Sequence, residues 1–188
     1  MSRIIIEGVD KSGKSTIIEK MKNQFEYGLA IKNMIKPKDA SEEETGRIID
    51  MYDQILRISS QSDLKNPSNR NFTYILDRFY QSEIVYSILR GNDRFEEEGF
   101  MAVVDLWENK IAKDTLLVLL ETDPAIVAER FKTCGEDYVR EEQIKMLQER
   151  YNRCFEMSKL PKIKLDTTQL GIEKSLELIK QEIAKLNV

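Results

Sequence analysis

The chain of 188 residues contains no histidine. That absence removes an imidazole-based catalytic triad, a histidine-liganded zinc site and imidazole acid–base chemistry. Any chemistry must use Lys, Arg, Asp and Glu with a metal ion. Cysteine is almost as scarce. Cys134 and Cys154 are the only two, share no metal-ligand spacing and are too few for a disulfide scaffold, so both read as reduced thiols. No run of about 18 apolar residues is present, which excludes a transmembrane helix, and no membrane partner is expected. The N-terminus passes from Met-Ser-Arg straight into Ile4-Ile5-Ile6, too short for a cleaved signal peptide, so a cytoplasmic chain is the default expectation. A basic excess is also missing: the net charge is −4 with the two signs interleaved. A duplex binder concentrates basic residues on one face, so nucleic acid is not expected and a small polyanion suits the chain better.

What the sequence does have is a regular alternation of short apolar strands and amphipathic helices. Strands are expected at Arg3–Glu7, Leu29–Ile35, Phe72–Leu76, Thr115–Glu121 and Lys162–Leu165. Helices are expected at Lys14 to about Tyr27, from a Ser41/Glu44 capping box to about Ser59, and from about Gln81 with a break near Gly91-Asn92, resuming over Glu96–Ala112. Further helices follow from Asp123-Pro124 to about Lys132, over Tyr138–Ser158 and over Gly171–Leu186. Asp63–Asn71 and Thr133–Asp137 read as loops. Strands apolar on both faces belong in a parallel sheet covered by helices on each side. With no repeat or linker, residues 1–188 read as a single α/β domain. Trp107, at helical spacing with Val103, Val104 and Ile111, reads as core or a subunit surface.

The strongest motif is Gly8-Val9-Asp10-Lys11-Ser12-Gly13-Lys14-Ser15, a full G-x-x-x-x-G-K-[ST] phosphate loop with a strand before it and a helix after it. Gly8 and Gly13 let the backbone turn and approach closely. The N–H groups of the loop, Ser12 and Thr16 included, converge on phosphate oxygens at a helix N-terminus. Lys14 reaches the β- and γ-phosphates and the Ser15 hydroxyl ligates Mg²⁺. Lys11 adds a second cation inside the loop, placed to stabilise charge on a transferring phosphoryl group. ATP with Mg²⁺ is the expected cofactor pair.

Glu7–Thr16 resembles the opening of the thymidylate kinase family, E-G-x-D-x-x-G-K-[ST]-T. The segment Asp77-Arg78-Phe79-Tyr80-Gln81-Ser82-Glu83-Ile84-Val85-Tyr86 is similar to that family's D-R-Y-x-x-S-x-x-A-[YF]. Weaker similarity continues at Gly135–Tyr138 and at Asp166-Thr167. The resemblance implies a P-loop NTPase fold, three-layer α/β/α with a five-stranded parallel sheet and a short lid at about residues 131–141. It implies that Asp10 holds a sugar 3′-hydroxyl and organises the metal site, that Lys11 acts on the phosphoryl group, and that Arg78 bridges donor and acceptor phosphates beside Asp77 at the metal. It further implies that Ser82 and Tyr86 line the acceptor site, with Tyr86 under the deoxyribose, and that Arg57 grips the acceptor phosphate. Arg130 near the lid is placed to reach ATP phosphates. A homodimer is implied on the same basis.

Three departures from the family pattern leave the acceptor open. Pro37 is followed by Lys38 and Asp39 rather than by arginine, with Lys36 or Lys38 as substitutes. The Trp-Glu after the helix arginine is Ile58-Ser59. The base-stacking aromatic one turn before Arg57 is Asp53. The leading expectation is ATP-dependent phosphorylation of a deoxynucleoside monophosphate, dTMP or a related pyrimidine nucleotide. A free deoxynucleoside as acceptor is the alternative, and a non-catalytic nucleotide binder is the third reading.

Overall fold

Five short strands, apolar across their width, pair in parallel in the order β2-β3-β1-β4-β5. They are β1 (Ser2–Glu7), β2 (Tyr27–Lys32), β3 (Phe72–Asp77), β4 (Thr115–Glu121) and β5 (Lys162–Asp166). The structure, a computed structural model, describes residues 2–25, 27–32, 41–65, 72–134 and 140–186. Burial explains the strand composition. Ile4, Ile5 and Ile6 alternate faces along β1, yet all three are fully buried, because helices cover both sides of the sheet.

The helices are α1 (Lys14–Lys22), α2 (Glu42–Lys65), α3 (Tyr80–Tyr86), α4 (Glu98–Ile111), α5 (Pro124–Cys134), α6 (Ile144–Met157) and α7 (Ile172–Leu186). On one face Ile4, Ile6, Ile75, Val118 and Leu120 pack against Ile17 and Met21 of α1 and Leu176, Ile179 and Ile183 of α7. On the other face Ile5, Leu76, Leu117 and Leu119 meet α2 through Tyr52 and Leu56, α4 through Val104 and Trp107, and α6 through Leu147 and Tyr151. Trp107 is therefore a core residue, held in an aromatic cluster with Tyr52, Phe79, Tyr80 and Phe100. Among the described residues no helix is long and apolar enough to cross a membrane.

Several boundaries differ from expectation, each for a local reason. Helix α1 stops at Lys22, where the Asn23 and Gln24 turn closes a Gln24 N–H to Met21 C=O bond, so β2 starts two residues earlier than read. Helix α2 begins as expected with the Glu44 N–H donating to Ser41 Oγ at 3.2 Å. The Glu44 carboxylate pairs with Arg47 one turn on. The helix then runs through Ser59 to Lys65, three residues into the segment read as a loop. The break near Gly91 is real: Gly91 adopts φ 82° between two short 3₁₀ turns, Ser87–Arg90 and Arg94–Glu96. Asp123 caps α5 through Ala125 N–H at 2.8 Å. The expected lid falls largely outside the described residues, as does the weak similarity at Gly135–Tyr138. The long helix expected from Tyr138 begins at Ile144, after a 3₁₀ turn over Glu141–Gln143.

Candidate active site

Residue Glu7 ends β1, and the chain must then leave the sheet sharply. Gly8 does so with φ 143°, and a Cβ there would lie 2.5 Å from the Leu120 carbonyl oxygen, so only glycine fits. Lys11 (φ 63°) and Gly13 (φ 95°) take left-handed conformations that close the loop over the start of α1. The first helical bond runs from Ile17 N–H to Gly13 C=O. The amides before it have no intrahelical acceptor and form the donor end of the helix.

The loop's outward carbonyls are held from three sides. Lys14 Nζ donates to the Gly8 and Val9 carbonyls at 2.8 and 2.7 Å. Thr122 and Thr167 hydroxyls, from the ends of β4 and β5, both reach the Ser12 carbonyl, at 3.3 and 3.2 Å. Arg130 of α5 donates to the Lys11 carbonyl at 2.7 Å, and the next residue, Phe131, places its ring 5.8 Å from the Lys11 ammonium. Burial and the nearby Arg78 guanidinium push the Lys14 pKa down to about 7. A cavity of about 760 Å³ opens over the loop, lined by Asp10–Ile17, Asp77, Arg78, Lys32 of β2, Arg130, and Thr167, Leu170 and Ile172 beside α7.

Beside the loop, the end of β3 supplies Asp77 and Arg78 to the same cavity. Arg78 sits at φ 70°, a conformation unusual for a side chain of this size. Its N–H is anchored to the Ile6 carbonyl of β1 at 3.1 Å. Its guanidinium is almost fully engaged. Nη2 donates to Asp10 Oδ1 at 2.5 Å and lies 3.4 Å from the Tyr86 hydroxyl, while Nη1 donates to Ser82 Oγ at 3.0 Å and Tyr151 Oη at 2.5 Å. Tyr86 donates to the second Asp10 oxygen at 3.0 Å. Glu7, buried, accepts from Phe79 N–H at 2.7 Å and from the Ser82 hydroxyl at 2.6 Å. Burial raises the Glu7 pKa against the pull of Arg78 and these two hydrogen bonds. Burial also works on Asp10, but Arg78 and Lys14 overcome it and hold that carboxyl below the ordinary aspartate range. The result is a cationic Arg78 between two carboxylates, facing the cationic loop.

The structure thus brings Gly8–Thr16, Asp77, Arg78, Ser82, Tyr86 and Arg130 to one place. Arg130 borders the cavity and also donates to the loop backbone at the Lys11 carbonyl. Arg57 is exposed on α2 and is not among the residues lining the cavity. Lys36, Pro37, Lys38 and Asp39 lie outside the described residues. Asp53, which stands where the family pattern has a base-stacking aromatic, accepts from the Trp107 indole at 2.7 Å. Sequence reasoning missed Glu7, Lys32, Thr122 and Tyr151. Glu7 was part of the quoted motif, so its position was a usable signal. Tyr151 lies 73 residues from Arg78 and carries no motif at all.

The two residues expected at a metal, Ser15 and Asp77, border the same cavity and offer oxygen donors only, a hydroxyl and a carboxylate. Among the described residues no group of three or more His, Cys, Asp or Glu is arranged to hold a metal ion. One or two hard protein oxygens suit Mg²⁺ carried in on a polyphosphate, because that ion keeps water and phosphate oxygens as its remaining ligands.

No family model matches the chain. It is 24% identical to a probable thymidylate kinase of Archaeoglobus fulgidus over 201 aligned positions, covering 97% of this chain and 93% of that one. It is 26% identical to the putative thymidylate kinase 251L of Invertebrate iridescent virus 6, covering 98% and 90%. Among solved structures, the YorR protein of Bacillus subtilis in complex with phosphorylated GDP superposes with a TM-score of 0.71 at 23% identity, covering 99% of this chain and 97% of that one. Deoxyadenosine kinase from M. mycoides with bound dCTP gives a TM-score of 0.55 at 19% identity, covering 97% and 99%. In sequence the chain is similar to thymidylate kinases, and in fold it is similar to P-loop nucleoside and nucleotide kinases.

Proposed function

We propose that the protein transfers the γ-phosphoryl group of ATP to a deoxynucleoside monophosphate, dTMP or a related pyrimidine nucleotide, giving ADP and the diphosphate. The observation that carries this reading is that Lys11 and Lys14 from the loop and Arg78 from the end of β3 line one cavity, with Arg78 and Tyr86 both bonded to Asp10. Phosphoryl transfer asks for alignment and charge neutralisation rather than covalent chemistry, and this chain offers no histidine for the latter.

In this reading the loop amides and Lys14 hold the donor polyphosphate, and Lys14 gives up its two carbonyl acceptors to do so. Lys11 and Arg78 lie on either side of the group in flight. Asp10 and Tyr86 form the floor for the acceptor sugar. Mg²⁺, held by Ser15 and Asp77, would neutralise charge on the β- and γ-phosphate oxygens. A homodimer and a cytoplasmic location belong to the same proposal, on the strength of the family resemblance.

A second reading, a free deoxynucleoside as acceptor, is favoured by one observation: Arg57, the α2 residue proposed to grip an acceptor phosphate, is exposed. The structural likeness to deoxyadenosine kinase is compatible with it. Turnover with ATP and Mg²⁺ against a panel of the common deoxynucleoside monophosphates and nucleosides separates the two. Activity on nucleosides with none on any monophosphate overturns the first reading, and ATP binding with no accelerating acceptor overturns both.

A further inference from the structure

We propose that Tyr151 of α6 is a positioning residue for Arg78, fixing which edge of the guanidinium is presented to the transferring phosphoryl group. The kinetic part of its test rests on the phosphotransfer reading above; the spectroscopic part does not.

The hydrogen count makes the case. Nη1 of Arg78 has two hydrogens, and both have acceptors on the buried side, Tyr151 Oη at 2.5 Å and Ser82 Oγ at 3.0 Å. The hydroxyls of Tyr151 and Ser82 lie 2.8 Å apart. Ser82 gives its hydrogen to Glu7 at 2.6 Å, so its oxygen receives from Tyr151, and the hydrogens in this chain all point from Arg78 toward the Glu7 carboxylate. No member is left with two donors or two acceptors face to face. Nη2 is held by Asp10 Oδ1 at 2.5 Å and, more weakly, by the Tyr86 hydroxyl at 3.4 Å, so with Nη1 committed a phosphate that grips the Nε–Nη2 edge has only that long Tyr86 contact to replace. A guanidinium grips a phosphate bidentately along a single edge, so the choice of edge sets the geometry of the grip.

Tyr151 itself is placed independently of its hydroxyl. It is 2% exposed, and its ring meets Tyr86 edge-on at 6.1 Å. The residue before it, Arg150, clamps α6 to the adjacent segments by donating to the Ile84 and Val85 carbonyls, each at 2.9 Å, and to Asp93 at 2.7 and 2.9 Å. A phenylalanine at position 151 therefore keeps the packing and removes only the hydroxyl.

The test is Tyr151→Phe in the full chain, read three ways. Turnover is expected to fall about 10- to 100-fold with KM for ATP nearly unchanged, the pattern of a misaimed group rather than a weakened pocket. In an Arg78→Lys background the same change is expected to have little further effect, because the group being aimed is already gone. An undiminished kcat, or an equal loss in both backgrounds, overturns the proposal. Nitrogen-15 NMR of the arginine side chains supplies the third measurement. The Arg78 Nη protons should give separate, slowly exchanging signals in the parent protein and merge in Tyr151→Phe; identical spectra overturn the proposal even if no acceptor is ever phosphorylated. Ser82→Ala, which removes the other Nη1 acceptor, serves in the same experiments should Tyr151→Phe fail to fold, with the same outcomes expected.

Discussion

At the scale of single residues, the most exacting constraints lie in the loop. Lys14 is buried with its ammonium on two carbonyls, and its pKa is pushed down to about 7, whereas an unfolded chain holds that proton to about 10.4. Between those values the unfolded state binds more protons than the folded state, so stability rises with pH through this window; below pH 7 both states are protonated and this group adds no further pH dependence. The slope contributed by one proton is at most about 1.4 kcal/mol per pH unit. Melting curves from pH 7 to 9 should show the rise in the parent protein and its loss in Lys14→Met. A slope that survives the substitution belongs to another group. Gly8 makes a second residue-scale prediction. Gly8→Ala would put a methyl group 2.5 Å from the Leu120 carbonyl and 2.8 Å from Ser12 Oγ at a φ of 143°, so ATP binding should vanish in calorimetry while the circular dichroism of the sheet and helices persists. At Gly13 a Cβ meets nothing within 4 Å, and Gly13→Ala should retain measurable binding at a strain of about 1–2 kcal/mol.

At the scale of elements, the parts that were legible in the sequence are those whose causes are local. The Gly8–Ser15 loop, the Asp77-Arg78 strand end and the Asp123-Pro124 helix start each depend on residues a few positions apart, and β4 was readable to the residue because five consecutive apolar residues, Leu116–Leu120, stand between Thr115 and Glu121. The exit of β1 and the start of α3 are joined by a contact that is not local: Glu7 accepts from Phe79 N–H and Ser82, 72 and 75 residues away. Tyr151 was hidden for the same reason. A tyrosine in a charge-rich helix has no periodic signature that distinguishes a site hydroxyl from packing. Asp53 shows the converse: where the family pattern has a base-stacking aromatic this chain has a carboxylate, and the sequence leaves its use open. The structure gives it the indole N–H of Trp107, which is 3% exposed. Asp53→Ala should therefore destabilise the protein by about 1–3 kcal/mol in urea titrations, the typical effect of stranding a buried donor. Trp107 is the chain's one tryptophan, so its fluorescence reports the transition directly. KM for every acceptor should stay within about twofold. A large change in acceptor KM with unchanged stability would return Asp53 to the acceptor site.

At the scale of the whole molecule, the site is built from the carboxyl ends of β1 and β3 at the middle of the sheet, with α5 and the segment before α7 reaching in from the far side. The cavity thus draws on elements from both halves of the chain, so ligand binding there should appear as global stability rather than local ordering alone. A ligand at about 100 times its dissociation constant adds about 2.7 kcal/mol. For a chain of this size that corresponds to a rise in Tm of about 5–10 °C. ATP with Mg²⁺ should produce a shift of that order, and Lys14→Ala, which removes the cation beneath the polyphosphate, should abolish most of it. A non-hydrolysable ATP analogue held at saturation then makes the acceptor identifiable without turnover. If Arg78, Asp10 and Tyr86 receive a nucleotide, a deoxynucleoside monophosphate should add a further shift and its nucleoside little, because only the phosphate meets the Arg78 guanidinium. Equal shifts from nucleoside and monophosphate would mean that the sugar and base alone supply the contacts. The acceptor would then be the free deoxynucleoside, consistent with an Arg57 that stays on the outer face of α2.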